Sequence, residues 1–519
     1  MLSFYKYISQ FQKLCRPGIR RAVSVMILIA LIVLGLQNSS QSRGNSVLDE
    51  LEKTNPSSPV SLESEKTGEI VLSVDRKNST SPIHQVENRV ASIVAVTPRN
   101  PAPAEKAKAK RKKRMPAKTI QEMNQMLLSS GLSSLSVLTQ GPSASDLQIL
   151  EAKAQIMNAP VVENDLDLYS PVFRNISMFK RSYELMEKTL KVYIYKEGKK
   201  PIFHSAQLTG IYSSEGWFMK HLAASRRFLV DDPSMAHLFY MPFSSSILRF
   251  EFYIPGDHNH DRVIAYLKNY VATIAAKHPF WNRTGGADHF FVACHDWVPD
   301  VTAQTMANAI GAICNADLAA DFVMGKDVSL PETNVRSIEN PVRGIGGRTA
   351  KRRPILAFFA GRMHGYVRPL LLQHWENKDP DMKVFGPLPK GGGGKKMTSY
   401  AEYMRSSRYC ICPRGNDVNS PRVAEAIFYE CVPVIISNNF VPPLFEVLNW
   451  EAFSVVVAEE DIPRLKEILL SIPEKKYLAL QTGVKKVQRH FLWHLKPERY
   501  DLFHMILHSL WLNRVLRRR

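Results

Sequence analysis

The chain has 519 residues, is 45% hydrophobic and carries a formal charge of +20, with a pI of about 9.6. That is enough chain for two or three ordinary domains plus tails, and enough apolar surface for a real core. So basic a balance ordinarily points to nucleic acid, but the N-terminus sends the chain to another compartment, and no nucleic-acid partner is expected.

Residues 1–21 carry Lys13, Arg16, Arg20 and Arg21, and the first acidic residue is Asp49. Between them Ala22–Leu36 is an unbroken apolar run. Basic residues before such a run keep the N-terminus cytoplasmic, so the chain beyond it is lumenal. The run is short against the roughly 20 residues a bilayer asks for. Gly35 and the pair Ser39-Ser40 would suit a cleaved signal peptide. The long basic flank favours an uncleaved signal anchor over residues 22–36, in a thin membrane.

Residues 37–165 are rich in Ser, Pro, Ala and Lys, and read as a largely disordered lumenal stem. Within it Lys106–Arg114 is a basic run: a solvated linker, a polyanion patch, a nuclear signal or a proteolytic site at Arg111–Arg114. Lys118–Ser129 and Ser145–Asn158 carry apolar residues at helical spacing, as self-associating stem helices or transient structure. Five cysteines lie beyond the apolar run: Cys294, Cys314, Cys410, Cys412 and Cys431. None has zinc-site spacing, and an odd number leaves one over if the rest pair. Asn78, Asn175 and Asn282 lie in glycosylation sequons.

From residue 166 the pattern alternates. Phe179–Leu190 predicts a helix, Lys191–Tyr195 a strand, Trp217–Ser225 a helix and His237–Met241 a strand. Val263–His278 predicts a helix and His289–Ala293 a strand. A Gly/Arg-rich linker, Arg343–Arg353, separates residues 166–345 from 346–519. The second unit predicts strands at Ile355–Phe359, Met382–Phe385, Tyr409–Cys412, Val432–Ser437 and Phe453–Val457. Its helices are Val367–Asn377, Tyr400–Ser406, Pro421–Glu430 and Pro463–Ser471, then Lys485–His494 and Arg499–Arg514 as closing helices. Such alternation means α/β architecture: two Rossmann-like domains, acceptor domain first and nucleotide-sugar domain second, with a cleft at the strand C-termini.

The segment Cys412–Ala426 runs strand, loop, helix. Ser420 predicts the N-cap and Pro421 the first helical residue. The helix start favours a diphosphate, which Arg414 and Arg422, beside Gly415, would bind through charge-assisted bonds. Glu425, one turn on, can accept two ribose hydroxyls; the bland alternative is capping plus a surface Arg–Glu pair. A second strand–loop–helix segment holds Gly361 and Gly365, for close backbone approach, with Arg362, His364 and Arg368 aimed at phosphate.

In the first unit Asp288 and His289 precede a predicted strand, and His295, Asp296 and Trp297 come after it. Transfer to a hydroxyl needs a base, for which His295 or Asp296 is a candidate, Asp288 and His289 being considered with them; a structural His–Asp pair is the alternative. Ser244 and Ser245 either bind sugar hydroxyls, with Trp297, or form a turn. Gly391–Gly394 does not fit a phosphate P-loop. Asp165-Leu-Asp167 and Asp379-Pro-Asp381 have the D-x-D form of metal-dependent transferases but lie away from the expected cleft, so no essential metal and no cofactor beyond a nucleotide-sugar substrate are expected.

As a set, Leu190–Tyr195, His237–Phe243, Trp281–His289, Cys410–Gly415, Ser420–Glu425 and Cys431–Ile435 resemble the plant branch of the exostosin family, glycosyltransferase family 47. The resemblance covers nearly everything from residue 170 on. It implies a GT-B fold, type II topology in the Golgi membrane, and inverting transfer of a sugar from a nucleotide-sugar, a UDP-sugar, to a cell-wall polysaccharide or related glycan. It also implies a Cys410–Cys431 pair, with Cys412 extra, and assembly with itself or other transferases. Members differ in the sugar transferred. The competing expectation is a catalytically silent, lectin-like or scaffolding subunit of a synthase complex.

Overall fold

Among the described residues, short runs of branched and aromatic residues, ended by turn residues, form ten strands, and all pairings between them are parallel. Buried on both faces, such strands can be almost wholly apolar: Phe239, Phe290, Val292, Phe358 and Val434 are shut off from solvent. The computed structural model describes residues 116–130, 143–205, 207–252, 260–388 and 399–517. The described residues lie within one compact unit, Glu105–Arg519. The apolar run 22–36, the basic run 106–114, Asn78 and Gly391–Gly394 fall outside them. Among the described residues no helix is long and apolar enough to cross a membrane.

The first sheet holds β1 (Val192–Ile194), β2 (Leu238–Tyr240), β3 (His289–Ala293), β4 (Ile310–Ile313) and β5 (Val328–Ser329), side by side in chain order. The sequence reading missed β4 and β5. The second holds β6 (Ile355–Ala360), β7 (Met382–Phe385), β8 (Ser407–Pro413), β9 (Val432–Ile436) and β10 (Val455–Val456), in the order β10-β9-β8-β6-β7. Here the order reverses between β6 and β8, which creates a topological switch point where a crevice opens at the strand C-termini. The first sheet has no reversal, so only the second has a Rossmann-type order.

The C-terminal edges of the two sheets are stitched together. Asn419 Nδ2 donates to the Cys314 carbonyl at 2.6 Å and to that of Leu330 at 3.3 Å. Val441 N–H donates to Ala316 O at 2.9 Å, and Leu444 N–H to Ser329 O at 2.8 Å. Loops after β8 and β9 thereby close on loops after β4 and β5.

Three expectations change. The stem yields two helices of the folded unit, Ile120–Ser130 and Ala144–Met157. Ile120, Met123, Ile149 and Ile156 are buried in the core, because each helix has an apolar stripe that finds a surface on the same unit. The second is fixed further by a capping box, Ser143 with Asp146, and by the buried Asp146–Arg514 pair at 3.1 Å. The helix expected at Lys485–His494 instead spans Glu474–Val487 and ends in a 3-10 turn. The last helix, Leu502–Leu516, packs on β4 and β5 of the first sheet and on the helices Ala144–Met157 and Ile176–Thr189. It is apolar nearly all round, so it needs cover on every side.

Candidate active site

At the switch point, the loops after β6 and β8 bring three arginines to the crevice. Gly361 and Gly365 serve protein contacts there. A Cβ on Gly361 would lie 2.1 Å from Arg422 Nη2, and one on Gly365 would lie 1.9 Å from the Gly415 carbonyl oxygen. The space admits the Arg422 guanidinium, which donates to Ala360 O at 2.8 Å and lies over the Phe359 ring. Arg368 is buried, and its Nε has no partner. Burial and the neighbouring Arg422 push its pKa down to about 10, against the attraction of Glu332. Two adjacent guanidiniums, one with a buried unmatched donor, make a site short of negative charge, which a diphosphate would supply. Arg414 lies over the Tyr366 ring and 3.8 Å from Glu459. Arg362 and His364 stand exposed at the rim.

Two donor-side expectations shift. The helix starts at Arg422 with Pro421 at the N-cap position, and Ser420 is buried without capping it. Ser420 Oγ instead accepts from Arg422 Nη1 at 3.4 Å. The helix is only seven residues long, so the arginines rather than its dipole define the anion site. Glu425 is held by Tyr400 OH at 2.9 Å and by Arg336 and Asn334 at 3.2 Å. It lines a groove of about 390 Å³ beside Thr333 and Trp493.

Opposite, the loop after β3 places His295, Asp296 and Trp297 on a pocket of about 680 Å³, which Tyr212 and Asp417 also line. His295 Nδ1 is in close contact with Asp296 Oδ1, and its ring stacks on Tyr212 at 4.9 Å. Burial works to raise the Asp296 pKa, but the hydrogen bond and charge of His295 outweigh it and hold the carboxyl below its usual range. An imidazole oriented through Nδ1 has Nε2 left to take a proton.

Asp288 and His289 sit at the wrong end. They lie at the N-terminal end of β3, 1% and 0% exposed, and bond to each other at 2.8 Å. Asp288 also receives Arg283 and Thr284 at 2.6 Å, and Tyr195 OH meets His289 Nε2 at 2.7 Å. The pair fixes the turn into β3 and reaches no cleft, so neither residue is catalytic.

Ser244 and Ser245 are also fully buried and meet no sugar. Both donate to Glu215, at 2.7 and 2.5 Å, and Ser245 Oγ accepts from His295 N–H at 3.0 Å. Glu215 further accepts from Ser246 Oγ at 3.0 Å and Cys294 N–H at 3.1 Å. This buried carboxylate, which the sequence reading missed, ties the loop after β2 to the one carrying His295. A disulfide between Cys294 and Cys314 anchors the same loop to the end of β4. A second joins Cys410 and Cys431, and Cys412 is buried and free, its thiol pushed up to about 12 by burial.

Also missed was Glu332, on the segment leaving β5. Burial, then Asp417 and Asp296, push its pKa up to about 8, while Arg368 and Arg422 pull it down. Asp417 itself is raised to about 6 by burial and by Asp296. The D-x-D pairs are engaged elsewhere: Asp165 with Lys180 at 2.7 Å, and Asp379 and Asp381 with Lys466 at 2.6 and 3.0 Å. Asn175 and Asn282 are exposed; the first caps the helix Ile176–Thr189, and the amide of the second donates to Ala275 O at 3.0 Å.

The exostosin GT47 domain model matches residues 186–472, which span both sheets. A "Probable glycosyltransferase" of Arabidopsis thaliana is 45% identical over 70% of this chain and 69% of its own length. Another from the same plant is 41% identical over 76% of this chain and 82% of its own length. A "Probable beta-1,4-xylosyltransferase" of Arabidopsis thaliana is 28% identical over 62% of this chain and 80% of its own. The chain belongs to the exostosin GT47 family of glycosyltransferases.

Proposed function

We propose that this enzyme transfers a sugar with inversion from a UDP-sugar to a hydroxyl of a cell-wall polysaccharide or related glycan, in the Golgi lumen. The observation that carries the reading is that Asp417, on the loop between β8 and Arg422, lines the same pocket as His295 and Asp296. The arginines would hold the diphosphate and receive its growing charge as the bond to the anomeric carbon breaks. His295 Nε2 would take the proton of the attacking hydroxyl, with Asp296 orienting the ring. The charge needed at the leaving group is already present in the guanidiniums, so no essential metal is proposed. Two disulfides fit an oxidising lumen, and Ala22–Leu36 with its basic flank fits a type II anchor.

The test is incubation of the solubilised full chain with a panel of UDP-sugars and plant glycan acceptors. Expected are nucleotide binding by the wild type and release of UDP with at least one donor. Folded protein that binds no UDP and turns over no donor would sink the reading.

A further inference from the structure

The pocket beside His295 has walls that the proposed proton transfer leaves unused. Two aromatic side chains on them are poorly served by the protein itself. Trp297 is 4% exposed, lines the pocket, and its indole N–H has no hydrogen-bond partner among the described residues. Buried donors are nearly always paired, so an orphan on a pocket wall is a donor left for what enters. Phe250 lines the same pocket and is 84% exposed. A lone exposed phenylalanine is ordinary; one that shares a pocket with an orphaned indole is not.

The helix Ser245–Phe252 sets how far that ring stands from the base. At its start Ser245 Oγ accepts from His295 N–H at 3.0 Å, and Ser246 Oγ donates to Glu215 at 3.0 Å. Phe250 follows Ser245 by five residues, about 7.5 Å along a helix axis. That exceeds the span of one sugar ring. The Trp297 ring, by contrast, lies 6.0 Å from that of His295. An acceptor ring at His295 is thus flanked by the indole, and Phe250 is left for the next ring along.

The rest of the lining agrees with this. A sugar ring has C–H faces that stack on an aromatic plate and hydroxyls around its edge. Phe250 supplies such a plate, and Gln207, Arg249 and Asp300 supply amide, guanidinium and carboxylate partners for hydroxyls. An acyl chain or an apolar peptide face would cover those polar groups without pairing them, which is unfavourable. The volume of about 680 Å³ falls within the roughly 300–1,000 Å³ usual for ligands larger than one sugar ring.

We infer that Phe250 is the platform of a second acceptor subsite, so that the pocket takes the end of an oligosaccharide at least two units long. The terminal ring lies at His295 and meets the Trp297 N–H; the penultimate ring lies on Phe250. A monosaccharide fills only the inner half. This rests on the proposed acceptor role of the His295 pocket.

The experiment measures, by ligand-observed NMR with and without UDP, binding of xylo-, cello-, manno-, galacto- and arabino-oligosaccharides, from monomer to tetramer, to the solubilised full chain. In at least one series the wild type should bind the trimer about ten-fold or more tighter than the monomer, the effect of one aromatic contact. Phe250→Ala should cut that gain to about three-fold or less, with monomer and UDP affinity unchanged, and Phe250→Tyr should restore it. Trp297→Phe, which removes the donor and keeps an aromatic ring, should weaken every length by a similar factor. No gain with length in any series overturns the inference, as does an undiminished gain in Phe250→Ala. Unchanged binding in folded Trp297→Phe overturns the part given to the indole; should that variant not fold, the exposed Phe250 decides the subsite. UDP binding without a gain in length removes this inference and leaves the transferase reading standing. A gain in length without UDP binding does the converse.

Discussion

The two sheets are built from the same kind of strand, yet they make their sites differently. The second sheet reverses its strand order between β6 and β8, and the strand–loop–helix passages that leave these two strands deliver Arg368, Arg414 and Arg422 to the opening. The first has no reversal. Its site is assembled by a buried carboxylate, Glu215, that gathers loops from β2 and β3, by a disulfide to β4, and by helices from both ends of the described chain. A site at a switch point is a product of topology; one on a consecutive sheet has to be propped into place.

The comparison is broken most severely by removing the two early helices, Ala144–Met157, which packs with Ile176–Thr189 and Leu502–Leu516, and Ile120–Ser130, whose Ile120 and Met123 lie beside Ser437 and Phe440 of the second half. A chain starting at residue 160 lacks both early helices and with them Ile120, Met123, Ile149 and Ile156. Each buried side chain of this size contributes about 1.5–3 kcal/mol, so together they approach the total stability of a domain, about 5–15 kcal/mol. Such a truncation should be insoluble or molten, whereas one starting at residue 105 should melt cooperatively in calorimetry. A cooperative, unshifted transition in the shorter chain would show the helices to be dispensable.

Smaller changes separate the two halves. His295→Ala should lower kcat by about 10²–10⁴-fold and leave UDP affinity within about three-fold. Arg368→Gln should do the reverse at the binding step, weakening UDP by about ten-fold or more. If His295→Ala abolished UDP binding, the division of labour between the sheets would fail. Glu215→Gln should sit between a structural and a catalytic defect. Losing one charged acceptor of a buried network costs about 1–3 kcal/mol, read as a lower Tm, and kcat should fall because the loop carrying His295 loosens. Normal kcat with a lowered Tm would confine Glu215 to stability.

Acid should find the first half before the second. Burial pushes His221 and His237 down to about 4 and His508 to about 3, and all three belong to the first sheet or the helices around it. They are neutral when folded and titrate near 6.5 when unfolded. Their contribution is therefore complete above about pH 6.5 and is lost as pH falls toward 4. Amide exchange should show β2 and the helix Ser213–Ala223 opening before β8 and β9 in that window. The smallest expected effect is that of EDTA, which should leave turnover unchanged; loss of activity that a divalent cation restores would overturn the metal-free proposal.

This contrast also explains what could be read from the sequence. The arginines at the switch point stood out in the sequence because they are near neighbours in the chain: Arg414 and Arg422 fall within one strand–loop–helix passage. Even there, the role of Gly361 differs from the expectation, since only packing shows that the room it leaves is filled by Arg422. The facing side was legible only in part: His295 and Asp296 stood out after their strand, whereas Glu215 and Glu332 did not. Glu215, Ser245, His295 and Glu332 are scattered across more than a hundred positions, and nothing local distinguishes a carboxylate that will be buried from one on a helix surface. Asp288-His289 and His295-Asp296 bracket the same strand with the same residue types, and only strand direction puts one pair in a closed turn and the other on a pocket. The strands β4 and β5 were missed although they are no shorter than β7 and β10, which were found.

The last helix, Leu502–Leu516, has a consequence for biogenesis. The strands it covers are translated about two hundred residues earlier, so on the ribosome β4 and β5 emerge without their partner. The N-terminal half cannot finish folding as it is made, although domains usually complete in order of synthesis. Its maturation waits for the helix Leu502–Leu516 to be synthesised, and loop-closure over such a separation slows it further. Nascent chains stalled before residue 500 should therefore remain protease-sensitive in the half synthesised first, and protection there should appear only once residues 502–516 have left the ribosome.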